Sequence, residues 1–443
     1  MSERKKVLKL FNEQKDYFEK RYNDGIEKHR KGVLTVTVKD KEGNPLKNVK
    51  VEIKQTSHAF KYGANIFMLD ELESEEKNAK YKEIMSGFGI MATLPFYWDA
   101  LEPERGNTRY GKNSKKIYRR PPIDLCIEFC EKHNIEPREH ALAYDHFFPS
   151  WLKGLTLEEE KGVIENRFRE IADRYKDKIP TIEVTNEMFW PNGHTAFYKE
   201  PDFVEWCFKT AEKYFPENQL VINEYTHACW LKRDEQSYPA IIENTLKSGA
   251  RIDAIGMQYH MFFKSADEYN ETRQFYCPKQ LYNQMDIYSA YGKPLQITEV
   301  TIPAYSWKDE DEAIQADIIE NLYKIWFSHE SVEQIMYWNM IDGYAHVAEA
   351  TPEKISETQG NMSVGENYFH GGLLRFDMTP KPAYYVIKNL FEKVWHTEES
   401  FNTDKNGQAV VKGFYGDYEI KTNGKTFNAS LSKNGKNEIV IEV

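Results

Sequence analysis

The sequence predicts an α/β protein: a (β/α)8 barrel that carries a small β-sandwich built from both chain ends. Three observations predict it. Between residues 58 and 400, eight short apolar runs alternate with segments of helical periodicity, the signature of repeated β-then-α units. Residues 33–56 and 402–443 instead alternate apolar and polar side chains around hairpin dipeptides. Neither of those stretches has enough strands to bury a face alone, so they are expected to complete one another.

Taken in order, residues 1–31 form an amphipathic helix. Val7, Phe11, Phe18, Tyr22 and Ile26 recur at three-, four- or seven-residue spacing with Lys and Glu between them. Residues 32–57 are the first part of the sandwich, turning at Glu42-Gly43-Asn44-Pro45, and 401–443 are the second, turning at Lys405-Asn406-Gly407, Asn423-Gly424 and Asn434-Gly435. Residues 58–400 are the TIM barrel. Its expected strands are Tyr62–Phe67, Phe88–Thr93, Pro137–Ala143, Thr181–Thr185, Leu220–Glu224, Asp253–Gln258, Pro294–Thr298 and Gln334–Asn339. Helical patterns fill 156–178, 202–214 and 311–329.

Composition narrows the function. The 443 residues carry 59 Lys+Arg against 70 Asp+Glu, a net charge of −11, which argues against nucleic acid or an anionic membrane as the main partner. Aromatic residues are 14%, which fits either a large core or a cleft that stacks sugar rings. The five cysteines include no CxxC pair, and no His/Asp/Glu grouping has metal spacing, so no cofactor and no metal are expected. A reduced, cytoplasmic protein is expected, since neither a signal-peptide run nor a stretch of ~18 apolar residues occurs.

In such a barrel the working groups sit at the C-terminal ends of the strands. The third strand offers His140, Tyr144 and Asp145; the fourth ends in Asn186-Glu187; the fifth in Asn223-Glu224-Tyr225. The sixth ends in Gln258-Tyr259-His260, the seventh in Thr298-Glu299, and the eighth carries Trp338 and Asn339. Carboxylates from strands four and seven face each other across a barrel mouth. Glycoside cleavage needs that pair, one acid to protonate the leaving oxygen and one carboxylate to attack the anomeric carbon. Asp145 and Glu224 are extra carboxylates that either bind sugar hydroxyls or hold neighbouring side chains.

These motifs resemble glycoside hydrolase family 10, the endo-β-1,4-xylanase type, from about His58 to Phe391. The resemblance rests on Trp98-Asp99-Ala100-Leu101-Glu102-Pro103, Arg138-Glu139-His140, Val184-Thr185-Asn186-Glu187, Gly256-Met257-Gln258-Tyr259-His260, Ile297-Thr298-Glu299 and Trp338-Asn339. It implies Glu187 as general acid/base, held protonated by a raised pKa, and Glu299 as nucleophile, held ionised by surrounding donors. It further implies Asn186 on the sugar 2-hydroxyl, Gln258 on the nucleophile side of the same sugar, His260 against Glu299, and His140 and Trp338 as walls. Tyr144, Asp145 and His346 complete the expected carbohydrate-binding set.

The departures are as informative. Where the family grips the next glycone-side sugar with Glu, Asn and Lys, this chain has Thr93, Leu94 and Tyr97. Its Trp-His and following Gln are Tyr144-Asp145 and Phe147; its carboxylate after the nucleophile is Thr301; its closing tryptophan is His346. A basic stretch, GKNSKKIYRR at 111–120, is a solvated loop or a partner for an acidic sugar. The reading is a retaining glycoside hydrolase on xylan-derived or related plant oligosaccharides. An exo-acting β-glycosidase on short or decorated glycosides is one alternative, and a non-catalytic carbohydrate-binding barrel is another.

Overall fold

The computed structural model describes residues 3–189, 193–231, 238–347 and 359–443. The chain opens with helical turns from Glu3 to Arg30, bent at Gln14 between the α-helices Lys9–Glu13 and Lys15–Gly25. Phe11 and Phe18 bury their rings, and Phe11 meets Tyr276 at 6.0 Å between centroids. Arg4 clamps the segment by reaching Glu268 at 2.9 Å and Asp311 at 3.1 Å.

Two strands follow, β1 (Lys31–Lys39) and β2 (Lys50–Gln55). Then come the eight barrel strands. They are β3 (Lys61–Asn65), β4 (Met91–Pro95), β5 (Glu136–His140), β6 (Thr181–Asn186), β7 (Gln219–Glu224), β8 (Ala254–His260), β9 (Leu295–Thr301) and β10 (Val332–Tyr337). They pair in parallel in chain order, and β10 closes the barrel on β3 through Gln334 opposite Lys61. Parallel strands covered by helices are buried on both faces, and these runs are buried along most of their length even where, as in β5, they are polar. The second strand begins three residues later than Phe88 because Gly89 lies under β3, where a Cβ would stand 2.6 Å from the Tyr62 carbonyl.

Two of the long helices start on favourable end chemistry. Leu157–Tyr175 opens on a capping box between Thr156 and Glu159, and Asp309–Ser328 opens on four acidic residues that favour the positive helix end.

After the barrel come β11 (Glu398–Asn402), β12 (Gln408–Phe414), β13 (Gly416–Thr422), β14 (Lys425–Leu431) and β15 (Glu438–Glu442). They join the first two strands in two sheets, ordered β12-β1-β15 and β11-β2-β13-β14. Leu34, Val36 and Val38 from one sheet meet Val51, Ile53, Tyr418 and Ile420 from the other in a separate small core. Asn423 and Gly424 both take positive φ, 49° and 72°, the two-residue turn that matches strand twist. Removing residues 402–443 would bare this core on β1 and β2 and is expected to abolish soluble expression. The milder Ile420→Ala should cost about 2–5 kcal/mol, read as a lowered denaturation midpoint.

Among the described residues, no helix is long and apolar enough to cross a membrane.

Candidate active site

The C-terminal ends of the barrel strands open into a cavity of about 490 Å³. Glu187 follows β6 with its backbone in the left-handed region, φ 55°, a conformation that costs a non-glycine residue on the order of 1 kcal/mol or more. The turn is held from β7: Glu187 N–H donates to the Asn223 carbonyl at 3.2 Å, and Met188 N–H donates to the Glu224 carboxylate at 2.5 Å. The Glu187 side chain lines the cavity, where Oε1 accepts from Gln258 Nε2 at 3.0 Å and Oε2 from the Tyr144 hydroxyl at 2.5 Å.

Glu299 lies within β9 and is 3% exposed. Its Oε1 accepts from Asn223 Nδ2 at 3.0 Å, and its Oε2 lies 3.1 Å from His260 Nε2. Asn186 Oδ1 accepts from both Asn223 Nδ2, at 3.0 Å, and Gln258 Nε2, at 3.1 Å. The two carboxyl groups are therefore the ends of one hydrogen-bonded chain running Glu187, Gln258, Asn186, Asn223, Glu299.

Beneath that chain lies an ionic layer. Glu183 takes Arg138 at 2.5 Å on one oxygen and His140 Nδ1 at 2.8 Å on the other. Burial opposes its charge, but His140 and Arg138 still hold the Glu183 carboxyl below its ordinary value. His140, also fully buried, is held above its ordinary value by Glu183 and Glu299.

Glu299 differs from the expected low value. Burial pushes it up to about 8; His140 and Arg138 oppose the rise, while Glu183 and Glu187 add to it. The reason is that its direct donors are neutral. Asn223 is an amide, and burial pulls His260 down to about 4. An uncharged His260 that donates from Nε2 to Glu299 must accept at Nδ1, where the Thr301 hydroxyl lies at 2.9 Å.

His140, Tyr144, Asn186, Gln258, His260, Trp338 and His346 line the same cavity as the two glutamates. Asp145 does not. It is buried and accepts from His194 N–H, from Thr195 N–H at 3.1 Å and from the Thr195 hydroxyl at 2.6 Å, so it ties down a loop. Glu224 is likewise spent on backbone N–H groups, Tyr225 at 3.0 Å being the second. Gln258 sits on the Glu187 side of the chain rather than on the Glu299 side. Phe262, stacked on His260 at 4.8 Å, and Glu366 also line the cavity. Phe262 follows its strand within an apolar run, and Glu366 lies in the short helical turn Gly365–Phe369, away from any strand end, so neither announces itself in the sequence. Arg119 and Arg120 line it too.

His140, Glu183 and Glu299 are close enough to grip a cation, with ligand atoms within 4.8 Å. Arg138 and His140 already supply that position with positive charge, so the trio is a poor fit for a metal.

Residues 58–390 match the family model described as glycosyl hydrolase family 10. The chain belongs to this family. It is 26% identical over 404 residues to anti-sigma-I factor RsgI6 of Acetivibrio thermocellus, covering 90% of this chain and 46% of that protein. It is 26% identical over 300 residues to endo-1,4-beta-xylanase 2 of Arabidopsis thaliana, covering 66% and 25%. The chain thus spans less than half the length of these curated relatives. In fold it is similar to xylanase 10B from Thermotoga petrophila, solved in complex with xylobiose, with a TM-score of 0.59 and 22% identity over 76% of this chain and 95% of that one.

Within this family 10 barrel Thr93 and Leu94 do not line the cavity, whereas Tyr97 does. Thr93 and Leu94 are wholly buried, and the Tyr97 hydroxyl bonds His140 Nε2 at 3.1 Å. The Tyr97 ring packs edge-on against Phe67 and Phe147.

Proposed function

We propose that the chain is a retaining glycoside hydrolase that cleaves β-glycosidic bonds of xylan-derived or related plant oligosaccharides by double displacement. The observation that carries this reading is the chain of hydrogen bonds that joins Glu187 to Glu299 across one cavity. Glu299 attacks the anomeric carbon while Glu187 gives its proton to the leaving oxygen, so the C–O bond breaks and a glycosyl ester forms. Glu187, now a carboxylate, takes a proton from water. That water attacks the same carbon and releases Glu299. Asn223 and His260 fix the attacking carboxylate; Gln258 and Tyr144 fix the acid. Trp338 and His140, 5.1 Å apart between ring centroids, wall the sugar at the cleavage point.

A second reading, exo action on short or decorated glycosides, is favoured by the burial of Thr93 and Leu94 and by the engagement of the Tyr97 hydroxyl with His140. Two or three lost sugar hydrogen bonds at about 1–3 kcal/mol each weaken polymer binding by roughly 100-fold or more. Nuclear magnetic resonance of the first product formed should show the β-anomer, and an α-anomer would refute double displacement. Rates on long xylan should fall well below those on short xylo-oligosaccharides and aryl β-glycosides. Mid-chain cutting of xylan as the preferred reaction would reject the second reading, and no turnover on any of them would favour a binding barrel. Five free thiols, four of them buried, support a reducing compartment such as the cytoplasm.

A further inference from the structure

The basic stretch 111–120 divides in two. Lys112 pairs with Glu128 and Lys116 donates to the Asp70 carbonyl at 2.5 Å, both on the outer surface. Arg119 and Arg120 instead turn into the cavity, only 4% and 9% exposed. A buried guanidinium is costly unless its charge and its five N–H groups are met. Arg119 donates to the Tyr344 carbonyl at 2.6 Å and to Asn339 Oδ1 at 3.2 Å, while its buried Nε has no hydrogen-bond partner. Arg120 donates one bond, to the Arg119 carbonyl at 3.1 Å, and otherwise lies on the Tyr97 ring, 3.5 Å from its centroid. Among the described residues neither forms an ion pair. Arg30 and Arg167, also buried without an ion pair, are different in kind: each donates to three backbone carbonyls and neither lines the cavity.

The groups facing this pair do not neutralise it. Glu366 is held by Asn339 Nδ2 at 2.9 Å, on the far side of the amide that receives Arg119. Asp99 acts on Arg120 only from beyond ion-pair range. Glu187 and Glu299 are occupied with one another's network. On the same side stand His146 and His346. Burial first, and then Arg120, Arg119 and His146, drive His346 down to about 3, the mark of a positive field.

We propose that Arg119 and Arg120 make the Tyr97 side of the cavity a receptor for an anionic sugar, one whose ring carries a carboxylate or a sulfate ester. This deepens the glycosidase reading and rests on it for the placement of the sugar. Tyr97 links the pair to the cleavage point, because its hydroxyl bonds His140 beside Glu299. Thr93 and Leu94 are buried away from the cavity there, while Arg120 keeps N–H groups unspent and Arg119 adds its charge beside it. An oxyanion there would accept the unspent N–H groups in the geometry arginine favours.

The test is calorimetric binding of three small glycosides to the whole chain: methyl β-glucuronide, methyl β-glucoside 6-sulfate and methyl β-glucoside. At least one anionic sugar should bind 10-fold or more tighter than the neutral one, and which one does so decides between carboxylate and sulfate. That preference should shrink as salt rises. Arg120→Met should remove the preference, read as the ratio of anionic to neutral affinity in the same variant, and Arg120→Lys should restore part of it. Equal or weaker binding of both anionic sugars by the unaltered protein overturns the proposal without reference to any variant, as does a preference that survives in both Arg119→Met and Arg120→Met. Anionic preference without hydrolysis would refute the glycosidase reading alone. Hydrolysis of neutral glycosides without anionic preference would refute this proposal alone.

Discussion

Glu299→Gln should abolish hydrolysis and, at alkaline pH, make the folded protein harder to melt. Loss of the attacking carboxylate is expected to lower kcat on the order of 10⁵-fold, since double displacement assigns the attack to Glu299 alone. The stability effect follows from the raised carboxyl. Its ordinary value is 4.5 and burial lifts it to about 8 in the folded protein. The folded state therefore favours the protonated form. The stability linked to this proton is fully present below about 4.5 and is lost as pH rises through about 8. Glutamine keeps the shape and removes the charge. Melting temperatures of the two proteins should therefore coincide at low pH and separate by several degrees above pH ~8, with the variant higher. The same proton governs catalysis, because Glu299 must be ionised to attack. The acid limb of kcat/KM should fall near 8 rather than near 4.5. A limb near 4.5 and superimposed melts would show that Glu299 is ionised throughout.

Glu187→Ala should separate substrates by their leaving groups. Protonation of a poor leaving group contributes about 10²–10⁴ in rate. The variant should lose about that much on oligosaccharides. On aryl glycosides whose phenol leaves unaided, glycosyl-ester formation should hardly slow, and a burst of phenol should precede a slow steady state. Equal losses on both classes, with no burst, would remove Glu187 from the acid role.

How far the sequence discloses the site depends on where each residue's partner lies. Asn186, Glu187, Gln258, His260 and Glu299 are legible because a strand end projects them and the neighbouring residues form short, ordered motifs. Asp145 and Glu224 stand at strand ends too and look identical in sequence. Whether such a carboxylate meets solvent or turns onto backbone N–H groups is decided by a loop 36 or more residues away, as with Met188 and Glu224 or Thr195 and Asp145. Arg119 and Arg120 are legible as charge and not as place, because only the folded loop brings Arg119 to Tyr344 and Asn339, more than 200 residues on, and lays Arg120 on the Tyr97 ring. The raised Glu299 carboxyl was hidden for another reason. Its neighbours can be named from motifs, but that His260 would be neutral depends on burial, which only the fold sets.

The position of β1 has a consequence for how the protein is made. Lys31 pairs with Phe414, and Thr35 with Glu438, so the strand made first receives its partners only when the last segment has been translated. At about 5–20 residues per second, the wait is on the order of 20–80 seconds. Throughout it Leu34, Val36 and Val38 form an unpaired apolar edge while the barrel folds beside them. Yield in a heterologous host should therefore follow elongation speed and chaperone supply more closely than it follows the melting temperature of the finished molecule.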